Sequence, residues 1–335
     1  MLTSEIKRKA QQLGFSACGI IPANSFAEYN QYLDERVKSF PESKKLYEPL
    51  YEMAVLPENV KSIIVCSQEY AKYKIPDSLN GLIGRSLLCD GRIPYSYEFR
   101  AKLEFSDYLK TLGLDVSQPE IPNRWAAAKA GIGKFGRNNF IFSAEHGSFI
   151  RIAAWLVDKE LEYDVMEEEA LASACSESCQ KCVQACPTKA LSSALSMDRG
   201  KCVAQLSFFA KDALSEDVRA QMGRWMYGCD VCQDVCPLNK GKLKEKEEFP
   251  LLSDIEASLE YESILEMDES AYINIIFPRF WYTGKDGLWR WKCGALRSMI
   301  NSGDEKYYKT IKKYCGHADA YISETARWGC GILGI

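Results

Sequence analysis

Apolar residues at Leu2, Ile6, Ala10 and Leu13 open the chain at helical spacing, with polar residues between them. The runs "SACGII" from Ser16 and "VKSIIVCS" from Val60 are short and continuously apolar at their centres, and predict buried strands. "YEFRAKLEFSDYLKTLGL" from Tyr97 returns to helical spacing and closes at Gly113, a residue suited to a helix end. "WAAAKAGIG" from Trp125 predicts a short alanine-rich helix, and "SFIRIAAWLV" from Ser148 another strand. Helices and strands thus alternate over residues 1–168, which reads as an α/β (α+β) domain. "DKELEYDVMEEEALASA" from Asp158 is an acidic connector, a solvated linker or helix start. Residues 169–240 form a cysteine-rich unit, and "NKGKLKEKEEFP" from Asn239 is a charged junction ending at proline. Residues 241–335 are helical in pattern, as in "GLWRWKCGALRSMI" and "SETARWGCGIL", with at most one helix-pair repeat.

The 335 residues suffice for one large domain or two ordinary ones, and 47% apolar with 26% charged residues is a globular composition. A net charge of −4 gives no global sign of a nucleic-acid or membrane-surface protein. The N-terminus lacks the apolar run of a signal peptide, and no apolar stretch approaches membrane-spanning length. A cytoplasmic location is expected, without a membrane partner. Fourteen cysteines in a reducing compartment then favour metal or redox chemistry over disulfides. Only His146 and His317 are present, so histidine can carry little of that chemistry.

Two runs repeat the spacing C-x2-C-x3-C-P: "CQKCVQACP" from Cys179 and "CDVCQDVCP" from Cys229. Two-residue gaps let consecutive thiolates wrap one cluster, while the cysteine before proline points to another cluster. The eight cysteines of this unit suit two [4Fe–4S] clusters with crossed ligands. Cys175, Cys179, Cys182 and Cys236 are expected on one, and Cys186, Cys202, Cys229 and Cys232 on the other. The gap after Cys175 is one residue longer than usual and requires a bulge there. Two zinc knuckles are the competing reading, since C-x2-C pairs also bind zinc. The terminal Cys-Pro of both runs and the count of eight favour clusters.

"AAAKAGIGKFGRNNFIFSAEHGSF", "CQKCVQACPTKAL", Cys202 and "MYGCDVCQDVCPLNK" together resemble the epoxyqueuosine reductases, tRNA-modifying relatives of the corrinoid reductive dehalogenases. The likeness covers roughly residues 1–240. It implies a cobalamin bound base-off in the α/β domain beside one cluster, with Cys89, Tyr95, Ile141, Gly147, Ser148 and Ile152 around the corrin. Ile141 and Ile152 serve equally well as strand core. Electrons would come from a low-potential ferredoxin or flavodoxin, and the substrate would be a small molecule or a modified nucleoside.

The chain departs from that pattern in several places. Ser96 stands where the family has histidine, beside a retained Tyr95, and an arginine expected before "LPENVKSII" is missing. The family's proton-donating aspartate falls, without gaps, on Ser117, which is counted here with the corrin-facing residues. Asp115 or Glu120 could supply the acid, as could the phenols of Tyr95 or Tyr97. The helical tail is short and the basic stretch "NKGKLKEK" is diluted by glutamates, which disfavours tRNA as partner. These departures point to a cobalamin-dependent iron–sulfur reductase whose substrate is not epoxyqueuosine. Two alternatives stay open: a genuine tRNA epoxyqueuosine reductase using Asp115, and an electron-transfer or cobalamin-reactivating protein without turnover of its own.

Two further motifs are given structural roles. "GIGKFG" from Gly131 matches G-x-G-x-x-G, but it follows a helix and enters a strand, the reverse of a dinucleotide fingerprint. The aromatic cluster "RFWYTGKDGLWRW" from Arg279 is expected to pack against the cysteine unit.

Overall fold

The computed structural model describes residues 2–24, 26, 28–164, 174–193 and 196–335. Its first half contains strands β1 (Ala17–Pro22), β2 (Ser62–Glu69), β3 (Tyr73–Lys74), β4 (Val116–Ser117), β5 (Lys134–Phe135), β6 (Ile141–Phe142) and β7 (Ile150–Val157). Its helices are α1 (Leu2–Gln12), α2 (Tyr29–Ser39), α3 (Lys44–Glu52), α4 (Arg85–Leu88), α5 (Tyr97–Thr111) and α6 (Asn123–Lys129). A four-stranded sheet runs in the order β1-β2-β7-β4, and every pairing in it is antiparallel.

Period-two alternation explains how this sheet carries helices on both faces. Ile63 and Val65 of β2, with Ala154 and Leu156 of β7, join the core under α2, α3 and α6. Ile64 and Cys66, with Trp155 and Val157, join the opposite core under α1 and α5. All of β2 except Glu69 is buried, as expected of a strand covered twice. Ser96 caps α5, its Oγ accepting from Phe99 N at 3.1 Å. The residue that replaces the expected histidine therefore has a helix-starting role.

The C-terminal region is not an appendage. Helices Leu288–Ser302 and Ala320–Leu333 share one core with residues 70–93 and with Met226 and Tyr227. The aromatic cluster does pack against the cysteine unit. Trp291 stacks on Tyr227 at 5.2 Å and Tyr282 on Phe208 at 5.0 Å. The charged junction is docked too, because Glu247–Glu248 forms a strand parallel to β3. The expected boundary between residues 168 and 169, and most of the acidic connector's second half, lie outside the described residues. Among the described residues, no helix is long and apolar enough to cross a membrane.

The glycines of "GIGKFG" serve close packing. A Cβ on Gly133 would meet Phe142 O at 2.5 Å, and one on Gly136 would meet the Phe142 ring at 2.4 Å. These contacts belong to the β5–β6 hairpin, which has no helix after it to hold a pyrophosphate.

Candidate active site

Each C-x2-C-x3-C-P run folds as a loop followed by one short helix, Lys181–Ala185 in the first and Val231–Asp234 in the second. The two proline-terminated runs lie side by side, so each Cys-Pro reaches across. Cys236, raised in pKa by burial, faces Cys175 and Cys179. Cys182 is raised by burial and then by Cys175, Cys236 and Cys179. Burial likewise raises Cys229, whose thiol neighbours are Cys202 and Cys186, and Cys232, whose thiol neighbours are Cys229, Cys202 and Cys182. On these neighbours the thiols fall mainly into two groups, Cys175, Cys179, Cys182 and Cys236 in one and Cys186, Cys202, Cys229 and Cys232 in the other, with Cys182 also acting on Cys232.

Backbone amides point at these sulfurs: Val183 at Cys182, Ala204 and Gln205 at Cys202, Val231 at Cys229, and Leu238 and Asn239 at Cys236. Arg137 N donates to Cys175 Sγ at 3.5 Å. N–H donors stabilise thiolates and tune bound clusters, so the donor set fits iron–sulfur ligation. Among the described residues, no three His, Cys, Asp or Glu side chains converge on a single-ion centre.

A deep cleft separates the edge of the sheet from this unit. It comprises two cavities, of 570 and 640 Å³, whose shared lining includes Arg92, Glu120, Arg124, Phe140, Arg151 and Tyr282. The first reaches Cys186, Cys202, Cys229 and Cys232, and the second runs along β7 at Ile150 and Ile152. The lining carries Arg92, Lys102, Arg124, Arg151 and Arg199 against the carboxylates Glu120 and Asp230. A chain of net charge −4 thus has a locally cationic cleft.

Its polar groups are held from behind. Buried Asp90 binds Arg92 at 2.7 Å and Arg151 at 3.3 Å, and Arg92 donates to Tyr282 Oη at 2.6 Å. Desolvation opposes the ionised form of Asp90, but Arg151 and Arg92 outweigh it and hold the carboxyl below its usual range. Arg151 Nε and Nη2 remain buried without a partner. Burial pushes the Lys102 amine down to about 8, helped by Arg151. Burial also holds the Asp230 carboxyl up at about 6, although Arg85 N donates to it at 2.6 Å.

The residues expected around a corrin divide. Ile141, Ser148 and Ile152 line the cleft. Gly147 does not: it packs against Asn239 of the cysteine unit, where a Cβ would lie 2.3 Å from Asn239 Oδ1. Cys89 is buried in the core shared with the C-terminal helices, and burial raises its thiol to about 12. Ser117 pairs with Leu156 at the exposed edge of the sheet. Asp115 also lies off the cleft, because its backbone N is bound by Asp158 at 2.8 Å and its carboxylate faces Asn59 at 3.4 Å. Tyr97 turns towards Leu13 O, its hydroxyl donating at 3.2 Å, and Tyr95 sits beside Arg279. Neither tyrosine lines the two cavities. Sequence reading missed Arg92 and Arg151, which lie in unrelated segments without a motif, and gave Tyr282 only a packing role within the aromatic cluster. It named Glu120 only as an alternative acid.

Residues 174–239 match the family described as a 4Fe-4S double cluster binding domain. Epoxyqueuosine reductase from Cyclobacterium marinum is 29% identical over 293 residues, covering 83% of this chain and 90% of that protein. The enzyme of the same name from Bacillus subtilis is 29% identical, over 99% of this chain and 88% of its own length. A solved structure of the Bacillus subtilis enzyme, with its catalytic loop swung out of the active site, superposes with a TM-score of 0.80 at 25% identity. It covers 99% of this chain and 90% of that one. An epoxyqueuosine reductase crystallised with an epoxyqueuosine-modified tRNA stem loop gives a TM-score of 0.78 at 25% identity, over 100% of this chain and 90% of that one. The chain is an epoxyqueuosine-reductase-like protein built around a double [4Fe–4S] cluster domain.

Proposed function

We propose that this chain is a cobalamin-dependent iron–sulfur reductase that acts on epoxyqueuosine in tRNA, with Glu120 as its acid. The observation that carries the reading is the position of Glu120, a carboxylate lining both cavities of the cleft. A carboxylic acid in the cleft removes the main objection to the family's usual substrate, which was the serine at the aligned acid position. Likeness to epoxyqueuosine reductases along nearly the whole chain supports the same substrate.

The cleft suits a corrinoid in three respects. Its joined cavities extend from β7 to the second group of cysteines. No histidine is among the lining residues, so the cleft offers a corrinoid no imidazole. Arg151 Nε and Nη2 are buried donors that a ligand's amide oxygens could satisfy. We assign Cys175, Cys179, Cys182 and Cys236 to one cluster, and Cys186, Cys202, Cys229 and Cys232 to the other. When bound, a corrin cobalt supplies a low-potential nucleophilic reductant, and the clusters supply electrons singly.

The chain's own residues provide binding and proton transfer. Reducing an epoxide to an alkene consumes two electrons and two protons and releases water. Glu120 is the carboxyl group placed to pass a proton to the departing epoxide oxygen, and solvent supplies the second. Arg92, fixed by Asp90 and Tyr282, binds an anionic or carbonyl oxygen in the cleft. Ile141 and Ile152 close the apolar wall and keep water from the reacting atoms. The local excess of Arg and Lys provides attraction for a phosphate backbone that the net charge does not.

The test is anaerobic turnover of an epoxyqueuosine-bearing tRNA stem loop by cluster-reconstituted protein with cobalamin and a chemical reductant. Mass spectrometry of the released nucleosides should show loss of one oxygen. An unaltered epoxide, with clusters and cobalt both reduced, would remove epoxyqueuosine as the substrate.

A further inference from the structure

The end of the chain brings together two thiols that take no part in the cysteine array. Cys315 lies in the turn Tyr314–Gly316 after helix Tyr308–Lys313, and Cys330 lies on helix Ala320–Leu333. Their sulfurs stand 3.2 Å apart. Packing fixes both positions. Ile311 and Tyr314 anchor the turn in the core, and Arg327 Nη1 donates to Cys315 O at 3.1 Å, which ties the turn to the helix carrying Cys330. On that helix a Cβ at Gly329 would meet Ile300 Cδ1 at 2.4 Å, so the helix lies close against Leu288–Ser302. Asp319 caps its start, accepting from Tyr321 N at 2.9 Å and Ile322 N at 3.1 Å.

Buried thiols commonly serve as small hydrophobes, but Cys315 and Cys330 are each only half-buried and open to a small solute. Two sulfurs do not complete a metal site. The nearby His317 Nδ1 accepts from Asp319 N at 3.0 Å, and among the described residues no third ligand joins the pair. Cys18 and Cys66 also face each other, across β1 and β2, but Cys66 is fully buried. Cys315 and Cys330 combine contact with access.

We propose that Cys315 and Cys330 form a redox-active dithiol that closes to a disulfide by exchange with a low-molecular-weight disulfide. The Cys315 sulfur, as thiolate, attacks one sulfur of the small disulfide and releases the other as a thiol, which takes up the Cys315 proton through solvent. The Cys330 sulfur then bonds to Cys315, and its proton leaves with the second small thiol. Two protein thiols are oxidised by two electrons, and one small disulfide is reduced to two thiols. Burial and the neighbouring Cys315 raise the Cys330 thiol to about 11, with Lys312 opposing. Cys330 therefore keeps its proton at neutral pH and is placed to donate it to the Cys315 sulfur, which suits Cys315 to attack first. In a reducing compartment the pair rests as thiols and closes only as the pool of small thiols is oxidised. Neither cysteine lines the cleft, so the dithiol stands apart from the proposed reaction.

The experiment holds cluster-reconstituted protein without oxygen in mixtures of reduced and oxidised glutathione. Free thiols are then alkylated and linkages mapped by peptide mass spectrometry, with the visible absorbance of the clusters followed throughout. A Cys315–Cys330 link should form with a two-electron dependence on the glutathione mixture and reopen with dithiothreitol. Cys330→Ser should retain glutathione at Cys315, whereas Cys315→Ser should take up glutathione at Cys330 roughly tenfold or more slowly. Linked wild-type protein should unfold at a higher denaturant midpoint than reduced protein, a shift absent from both serine variants. Protein that keeps its clusters and still has Cys315 and Cys330 free in fully oxidised glutathione overturns the proposal. Wild-type protein with glutathione on both cysteines and no link overturns it as well, as does a link seen only after cluster absorbance is lost.

Discussion

Ser148 and Asn239 are joined by two reciprocal hydrogen bonds. Ser148 N donates to Asn239 Oδ1 at 2.9 Å, and Asn239 Nδ2 donates to Ser148 Oγ at 2.9 Å. Ser148 Oγ in turn donates to Gln233 Oε1 at 2.9 Å, and Tyr70 Oη donates to the same oxygen at 3.2 Å. Ser148 lies at the head of β7, while Gln233 and Asn239 flank Cys236. A buried and satisfied network therefore ties the wall of the cleft to the cysteine array. Redox partners at such an interface need a fixed separation, and packing plus directional bonds provide one.

Asn239→Ala removes both bonds and leaves Ser148 N buried without an acceptor. The expected loss of stability is about 1–3 kcal/mol. Gly147→Ala should cost more, since its Cβ would stand 2.3 Å from Asn239 Oδ1 at a residue with φ +57°. Denaturant midpoints of reconstituted proteins measure both. Midpoints equal to wild type would mean that the network does not hold the two parts together.

The thiol grouping predicts a crossed pattern of cluster loss. Cys236→Ser, although it lies in the second run, should remove the cluster held by Cys175, Cys179 and Cys182. Cys186→Ser, in the first run, should remove the one held by Cys202, Cys229 and Cys232. Each variant should retain about half of the iron, and the two should lose different EPR signals. If instead Cys236→Ser and Cys229→Ser abolish the same signal, ligation is sequential and the assignment is wrong.

What the sequence made visible was local. Helices α1 and α5 and strands β1, β2 and β7 follow from spacing within a few residues, and the cysteine runs announce their chemistry for the same reason. The cleft was hidden because Arg92, Glu120, Arg151 and Tyr282 come from four separate stretches that only the topology unites. Net charge gave the wrong impression of the cleft, since acidic residues lie mostly elsewhere. Gly147 illustrates a subtler case. It was expected beside the corrin, but it does not line the cleft, and its backbone is shaped by Asn239, a contact ninety-odd residues away that no local pattern announces. Ser96 appeared to be a lost histidine, and in the fold it is a helix cap.

Placement of the two candidate acids gives opposite expectations for their amides. Glu120→Gln keeps the shape of the side chain and removes its acidity, so turnover should fall by roughly 10²–10⁴-fold. Asp115→Asn changes a carboxylate that faces Asn59 outside the cleft, and turnover should stay near wild type. Single-turnover rates with the modified stem loop separate the cases. Loss of activity in Asp115→Asn with Glu120→Gln active would return the acid's role to Asp115.

Lys102 makes the cleft's charge dependent on pH. Burial is the main cause of its lowered pKa, and Arg151 and Arg92 add to it. With a value of about 8, the amine is protonated at neutral pH and loses its charge as pH rises through that value. The affinity of the cleft for an anionic ligand should therefore decline across pH 8, while the arginines stay charged. The stability effect has the opposite sign. Between about 8 and the ordinary lysine value the unfolded chain binds more protons than the folded one, so this residue's contribution to stability rises with pH. Lys102 is half-buried, so solvent screening keeps that contribution small. Lys102→Met should abolish the step in affinity near pH 8 and lower affinity at neutral pH towards the wild-type level at high pH. A step that persists in the variant would assign it to another group.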